Sequence, residues 1–160
     1  MSRQCHLSLT FFKRNKQVNF CGIYCPMTDR MSAEKRSYVM SRIRSKNTGL
    51  ELAVRRMVFA MGYRYRLYAK GLPGRPDIAF LGRKKVIFIH GCFWHQHQKC
   101  PMGKPPSSNL AYWGPKLSRN VERDRENLAS LKWNGWKALV IWECQMQKPT
   151  KVKARICRFL

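Results

Sequence analysis

The chain has 160 residues, with 32 Lys+Arg against 8 Asp+Glu, a formal net charge of +24 at pH 7 and an isoelectric point near 10.5. That is one domain's length, and the charge lies far outside the balance of an ordinary metabolic enzyme; it points to a polyanionic partner, nucleic acid first and an anionic membrane surface second. A hydrophobic share of 44%, with 12% aromatic, excludes a disordered basic tail and predicts a packed core.

Residues 1–26 show neither a helical nor a strand period. They read as a poorly ordered extension or the product of an upstream start, Met27 and Met31 being equally good first residues, with a single domain over 27–160. Residues 7–12 are interrupted by Ser8 and Thr10 and are too short for a signal-peptide core. The longest apolar runs, 86–89 and 138–142, are too short to span a bilayer, so the expected compartment is the cytosol. Ser32-Ala33-Glu34-Lys35 predicts a capped short helix leading into the basic run 36–46. Leu50, Val54, Met57, Val58 and Met61 recur at helical spacing over 48–61, and Gly62 ends that helix. Residues 63–68 alternate, which predicts a strand with Arg64 and Arg66 on its polar face. After the turn-rich loop 71–76, segments 77–81 and 85–90 form a hairpin around Gly82-Arg83. Residues 90–106 are irregular. Pro115 suits the first turn of a helix whose buried face is Leu117, Val121, Leu128 and Leu131, with 122–126 mostly solvated and Asn134-Gly135 as its stop. A strand over 136–142 and a helix over 150–160 complete an α/β chain, a mixed sheet flanked by helices.

Seven cysteines are an odd number, and three of the four histidines fall between positions 90 and 97, which favours metal ligation over disulfides. Cys92, His97 and Cys100 offer three ligands within nine residues, and Cys144, at the end of a later strand, offers a fourth. Such a set closes a tetrahedral zinc site that is structural, because no position is left for substrate or water. The alternative is that Cys92 and Cys144 are small core residues. Cys5, Cys21, Cys25 and Cys157 stay outside the set; Cys21 and Cys25 read as free thiols, with metal binding as the alternative.

Asp77 follows Pro76 at the start of a strand. A carboxylate there can bind a hard divalent cation that polarises a phosphate and acidifies a bound water, although a turn-capping role is also open. His90 and His95 are left over from the zinc set. Both suit proton transfer or charge stabilisation during attack on a phosphodiester, with a hydrogen-bonded structural role as the alternative. Phe93-Trp94 lies in a basic, metal-pinned loop and is either a wedge that unstacks base pairs or a pair of core aromatics.

Gly74-Arg75-Pro76-Asp77, Ile89-His90-Gly91-Cys92-Phe93-Trp94-His95, Asn120-Val121-Glu122-Arg123-Asp124 and Trp142-Glu143-Cys144 occur in this order. Together they closely resemble the very short patch repair (Vsr-type) DNA mismatch endonucleases, over residues 32–159. The resemblance implies a restriction-endonuclease-like, PD-(D/E)xK-type fold, Mg2+ dependence, and a nick 5′ to the T of a T:G mismatch left by deamination of 5-methylcytosine. By the same resemblance Asp77 is the Mg2+ ligand, with the backbone carbonyl of Ile89 as the second. His95 is the principal acid/base residue, His90 assists at the phosphate, and Glu51 holds a metal-bound water. Cys92, His97, Cys100 and Cys144 match the structural zinc set, Phe93 and Trp94 the intercalating aromatics, and Met40 a methionine that enters the DNA from the other groove. Position 89 is Ile where many relatives carry Thr, a change that a backbone ligand tolerates.

Physical chemistry is consistent with this. A mispaired step unstacks more easily than a paired one, so inserting Phe93, Trp94 and Met40 costs less there, and deformability supplies discrimination. Arg42, Arg44 and Lys46 are candidate phosphate holders whose affinity falls with salt. The expected partners are double-stranded DNA with a T:G mismatch, mismatch-repair proteins and, functionally, a cytosine-5 DNA methyltransferase, with no membrane. The expected state is a monomer, because one mismatch has no two-fold symmetry. Two rivals stand beside this reading: a nuclease of the same fold without a mismatch requirement, and a zinc-stabilised DNA-binding module without catalysis. The co-occurrence of Asp77, Glu51, His90 and His95 argues against the second.

Overall fold

A computed structural model describes residues 31–43 and 46–160 of the chain. The expectations for residues 1–26, for Cys5, Cys21 and Cys25, and for Arg44 lie outside the described residues. The framework is a mixed sheet of three strands, β1 (Ile78–Phe80), β2 (Lys85–His90) and β3 (Lys137–Trp142), in spatial order β1-β2-β3. β2 runs antiparallel to β1, with Ile78 opposite Ile87, and parallel to β3, with Ile89 opposite Ile141 and His90 opposite Trp142. A central strand has both faces covered, which is why β2 reads as an unbroken apolar run, Val86-Ile87-Phe88-Ile89.

The two faces bury different partners. Ile78, Phe80, Ile87, Ile89, Leu139 and Ile141 point to one side, against Val54 and Val58 of α2 (Gly49–Ala60) and Val152 and Ile156 of α4 (Pro149–Phe159). Ala79, Val86 and Phe88 point to the other, against Leu131 of α3 (Leu110–Trp133), with Leu128, Ala138 and Val140 at the margin. The result is helix, sheet and helix in three layers. α1 (Ala33–Arg42) starts at Ser32, whose hydroxyl accepts from the Lys35 N–H, and α2 starts at Thr48, whose hydroxyl accepts from the Glu51 N–H.

Three expectations need correction. The strand over 63–68 does not form; a single bridge, Arg66 with Ala79, joins this segment to the edge of the sheet. Its period-2 alternation is real, because Tyr63 and Tyr65 both lie edge-on to Phe80, but Tyr68 turns away at φ 47°. α3 begins at Leu110, five residues before Pro115, which sits inside the helix. Burying Trp113 and Leu117, one turn apart, holds that extra turn despite the N–H that proline lacks. Val121, expected on the buried face, is 40% exposed.

Candidate active site and metal centre

At the end of the sheet where β2 gives way to the irregular loop, a cleft of about 910 Å3 opens, lined among others by Glu51, Asp77, Ile89, His90, His95 and Asp124. Four side chains predicted from sequence for the chemistry therefore meet in one place, although they come from α2, the start of β1, the end of β2 and the following loop. Asp77 directly precedes β1, and its Oδ2 accepts the Ile89 N–H at 2.7 Å, so the carboxylate is clamped to β2. Burial pushes its pKa up to about 6, Glu51 adds to the rise, and the Ile89 N–H and Arg55 hold it down. A half-neutral carboxylate at pH 6 is one that lacks sufficient positive charge nearby.

Glu51 is the opposite case. It is 5% exposed, and its Oε2 accepts from Arg55 at 2.6 Å, from the Tyr68 hydroxyl at 2.6 Å and from the Asn47 N–H at 3.1 Å, while Oε1 accepts from the Thr48 hydroxyl at 3.0 Å. Arg55 and Tyr68 escaped the sequence reading, though Arg55 lies one turn after Glu51 on α2, the spacing of a helical ion pair. Burial and the hydrogen bond to Glu51 raise the Tyr68 pKa, so the phenol stays protonated and donating.

His90 and His95 stack with ring centres 3.8 Å apart and planes inclined by 7°. His95 Nδ1 bonds the carboxylate of Asp124 on α3. With that carboxylate ionised, Nδ1 must carry the proton, which leaves Nε2 as the basic nitrogen. Burial, with the charge of His95 as the second cause, lowers the His90 pKa to about 4, so His90 is neutral at physiological pH. Asp124 was read as part of a solvated charge run; its partner lies 29 residues earlier, which no local pattern reveals. His90, His95 and Asp124 bring ligand atoms within 4.8 Å of one another. Two parallel imidazoles share no in-plane point, however, so as arranged the two rings cannot both ligate one ion.

Cys92, His97, Cys100 and Cys144 also bring their ligand atoms within 4.8 Å of one another, and here the geometry suits a metal. Cys92 Sγ is 3.6 Å and Cys144 Sγ 3.3 Å from His97 Nδ1. A tetrahedral ion with ordinary zinc bond lengths requires S···N edges of about 3.5 Å. Burial, first among the causes, raises the pKa of both Cys92 and Cys144, so without a cation these thiols stay protonated. The loop is tightly wound: the His97 N–H donates to the Cys92 carbonyl at 2.9 Å, and the Cys92 N–H to Glu143 at 3.2 Å. Gly103 closes it. A Cβ there would lie 2.5 Å from the His97 carbonyl oxygen. Cys157, exposed on α4, stands apart from the cluster, as expected.

The remaining predicted residues surround this centre. Phe93 and Trp94 are half-buried rather than free: Phe93 meets Trp94 and Trp113 edge-on at 5.0 and 5.4 Å, and Asn120 holds the Trp94 carbonyl at 3.1 Å. Met40 is half-buried on α1. Arg42 is exposed with its guanidinium over Tyr38, and Lys46 lines the cleft with its ammonium 5.2 Å from the Tyr68 ring centre. Lys70, Arg75 and Arg123 add positive charge to the same rim.

A basic cleft holding a half-buried carboxylate and a carboxylate-bound histidine, on a mixed sheet flanked by helices, suits a DNA endonuclease. The fold is similar to that of the homing endonuclease I-Bth0305I catalytic domain, with a TM-score of 0.50 at 23% identity over 71% of this chain and 94% of that one. The profile of the family described as DNA mismatch endonuclease Vsr matches residues 28–101. The type II nicking enzyme V.XorIIP of Xanthomonas oryzae pv. oryzae is 47% identical over 134 residues, 84% of this chain and 98% of that protein. The DNA mismatch endonuclease Vsr of Escherichia coli is 36% identical over 79% of this chain and 80% of that protein. The chain belongs to the Vsr family and is a DNA endonuclease, a hydrolase of phosphodiester bonds. A module without catalysis is thereby set aside. Among the described residues, no helix is long and apolar enough to cross a membrane.

Proposed function

We propose that this endonuclease nicks one strand of double-stranded DNA 5′ to the T of a T:G mismatch, with Mg2+ at Asp77 and structural Zn2+ at Cys92, His97, Cys100 and Cys144, on a restriction-endonuclease-like core. The observation that carries the reading is the meeting of Asp77 and the His95–Asp124 pair in one basic cleft. Asp77 is a half-buried carboxylate with a raised pKa, and a divalent cation would supply the charge it lacks, with the Ile89 carbonyl as the second ligand from this chain. When bound, that cation acidifies a water and neutralises phosphate charge. Asp124 holds His95 in one tautomer, so its Nε2 can take a proton from the attacking water or, once charged, give one to the leaving oxygen. His90, neutral at pH 7, stabilises by hydrogen bonding and leaves proton transfer to His95. Glu51 is fully engaged with Arg55, Tyr68, Asn47 and Thr48; it can orient a water only as an acceptor held rigidly by that network. For the second metal, the spacing of the Cys/His set and its three thiols fit zinc.

Phe93 and Trp94, braced by Trp113, form a stiff wedge, and Met40 on α1 is its counterpart from the other side. Arg42, Arg44 and Lys46 hold phosphates. Such a substrate arises where a cytosine-5 methyltransferase has acted, which ties the enzyme to mismatch repair in the cytosol, as a monomer over residues 27–160. The test is nicking of end-labelled duplexes that differ only in T:G against C:G at one position, with Mg2+ and with chelator. The expected result is a single cut 5′ to the mismatched T that needs Mg2+; equal cutting of both duplexes would replace this reading with a nuclease that has no mismatch requirement.

A further inference from the structure

Trp142, the last residue of β3, joins two centres that share no ligand. One face of its indole stacks on His97 of the Cys/His cluster, with ring centres 4.1 Å apart and planes inclined by 8°. The same indole meets His90 edge-on at 5.3 Å and 78°. His90 in turn stacks on His95 at 3.8 Å, and His95 is bonded to Asp124. Four rings thus run without a gap from the metal cluster to the cleft. The sheet fixes the middle of this chain, because Trp142 and His90 are register partners on parallel neighbours β3 and β2. The Trp142 N–H donates to Gln145 Oε1 at 3.2 Å, which pins the strand end as it turns toward Cys144.

We infer that Trp142 is a positioning residue, through which the Cys/His cluster sets the orientation of His90 and hence of His95. The argument rests on the reading that His95 transfers the proton. His95 sits in the irregular loop between Cys92 and His97, where Asp124, the Gly91 carbonyl and the stacked His90 ring fix it. A side chain on a loop is placed no better than the surfaces it leans on, and an error of about 1 Å at a reacting group costs on the order of a hundredfold in rate. His90 is itself backed by Phe88, tilted at 5.8 Å, and by Trp142. Of these two, only Trp142 also touches the cluster. A metal held by Cys92, His97, Cys100 and Cys144 would then do more than pin a loop: with His97 fixed, His97 backs Trp142, and Trp142 closes the back of the histidine stack.

The experiment uses the full chain as Trp142→Leu and Trp142→Phe, each scored for bound zinc, affinity for the T:G duplex, single-turnover nicking, and the imidazole NMR signals of His95. Trp142→Leu should keep its zinc and its DNA affinity while nicking falls roughly tenfold to a hundredfold and the His95 signals shift. Trp142→Phe, which keeps a ring over His97, should recover most of the rate. An unchanged rate in Trp142→Leu, a loss that merely tracks lost zinc or lost affinity, or equal impairment of both variants would overturn the inference. Should the leucine variant fail to fold, Trp142→Met, which fills the space without a ring, takes its place with the same expected and contrary results. If the unsubstituted protein nicks neither duplex, the proposed function fails, and the NMR comparison still judges Trp142.

Discussion

Asp77 must be ionised to hold a cation, yet its burial favours the neutral acid, and the balance sits at a pKa of about 6. A carboxyl whose pKa is higher folded than unfolded imposes no cost below the unfolded value near 3.8; the cost grows as pH rises through about 6 and is complete above it. Without Mg2+, Asp77→Asn should therefore match the parent in stability below pH 4 and exceed it at pH 8, by up to about 3 kcal/mol at 1.36 kcal/mol per pKa unit. Urea unfolding at the two pH values measures this, and an asparagine variant less stable at pH 8 would contradict it. His90 slopes the other way. Its depressed pKa makes stability fall as pH drops from 6.5 toward 4, so the difference between the two proteins, rather than either curve alone, reports Asp77. Gly103 is a second single-atom constraint. Its missing Cβ makes room for the His97 carbonyl, so Gly103→Ala must displace the loop backbone around His97. The expected cost is roughly 2–4 kcal/mol with weakened zinc retention, read by thermal unfolding and by chelator-driven metal release.

Elements follow the same logic at a longer range. Pro115 sits inside α3 and leaves the Ala111 carbonyl without its helical donor, yet the helix continues because Trp113 and Leu117 are buried on either side of it. Pro115→Ala should restore that bond and raise stability by about 1 kcal/mol or more, seen as a higher unfolding midpoint; a lower midpoint would mean that the proline shapes the aromatic bracket around Trp113. The same helix marks how far sequence alone reaches. Its end at Asn134-Gly135 was legible, since a stop is local chemistry, whereas its start at Asn109 was not, because that residue adopts φ 53° and makes no side-chain cap. The hairpin, α1, α2 and α4 were likewise legible from caps and periodicity. Residues 63–68 misled because an extended chain laid along a sheet edge alternates like a strand without pairing like one. At the site, the clustering of the cysteine and histidine set was legible because three of its members lie within nine residues. Asp124, Arg55 and Trp142 were not recognised as site residues, since each gains its role from a contact that only the fold creates.

The whole molecule carries +24 on 160 residues, and the described cations concentrate in part on the cleft rim, through Lys46, Lys70, Arg75 and Arg123. Each phosphate neutralised releases counterions, so affinity for duplex should fall steeply with salt, with a slope of about −0.9 per contact. Lys46→Ala should flatten that slope by about 1 for matched and mismatched duplex alike, because a phosphate contact carries no sequence information. A change confined to the mismatched duplex would instead make Lys46 part of the recognition wedge. In the proposed function, charge gives affinity, the braced aromatics give discrimination, and Asp77 with His95 gives the cut, three roles carried by different side chains around one cleft. That separation is the central claim, and Asp77→Asn tests it most directly. With Mg2+ present, binding and nicking of the same T:G duplex are measured side by side for the variant and the parent. The account predicts affinity within about threefold and nicking lower by roughly 1,000-fold or more. Nicking that survives, or binding lost in step with it, would place the catalytic centre elsewhere.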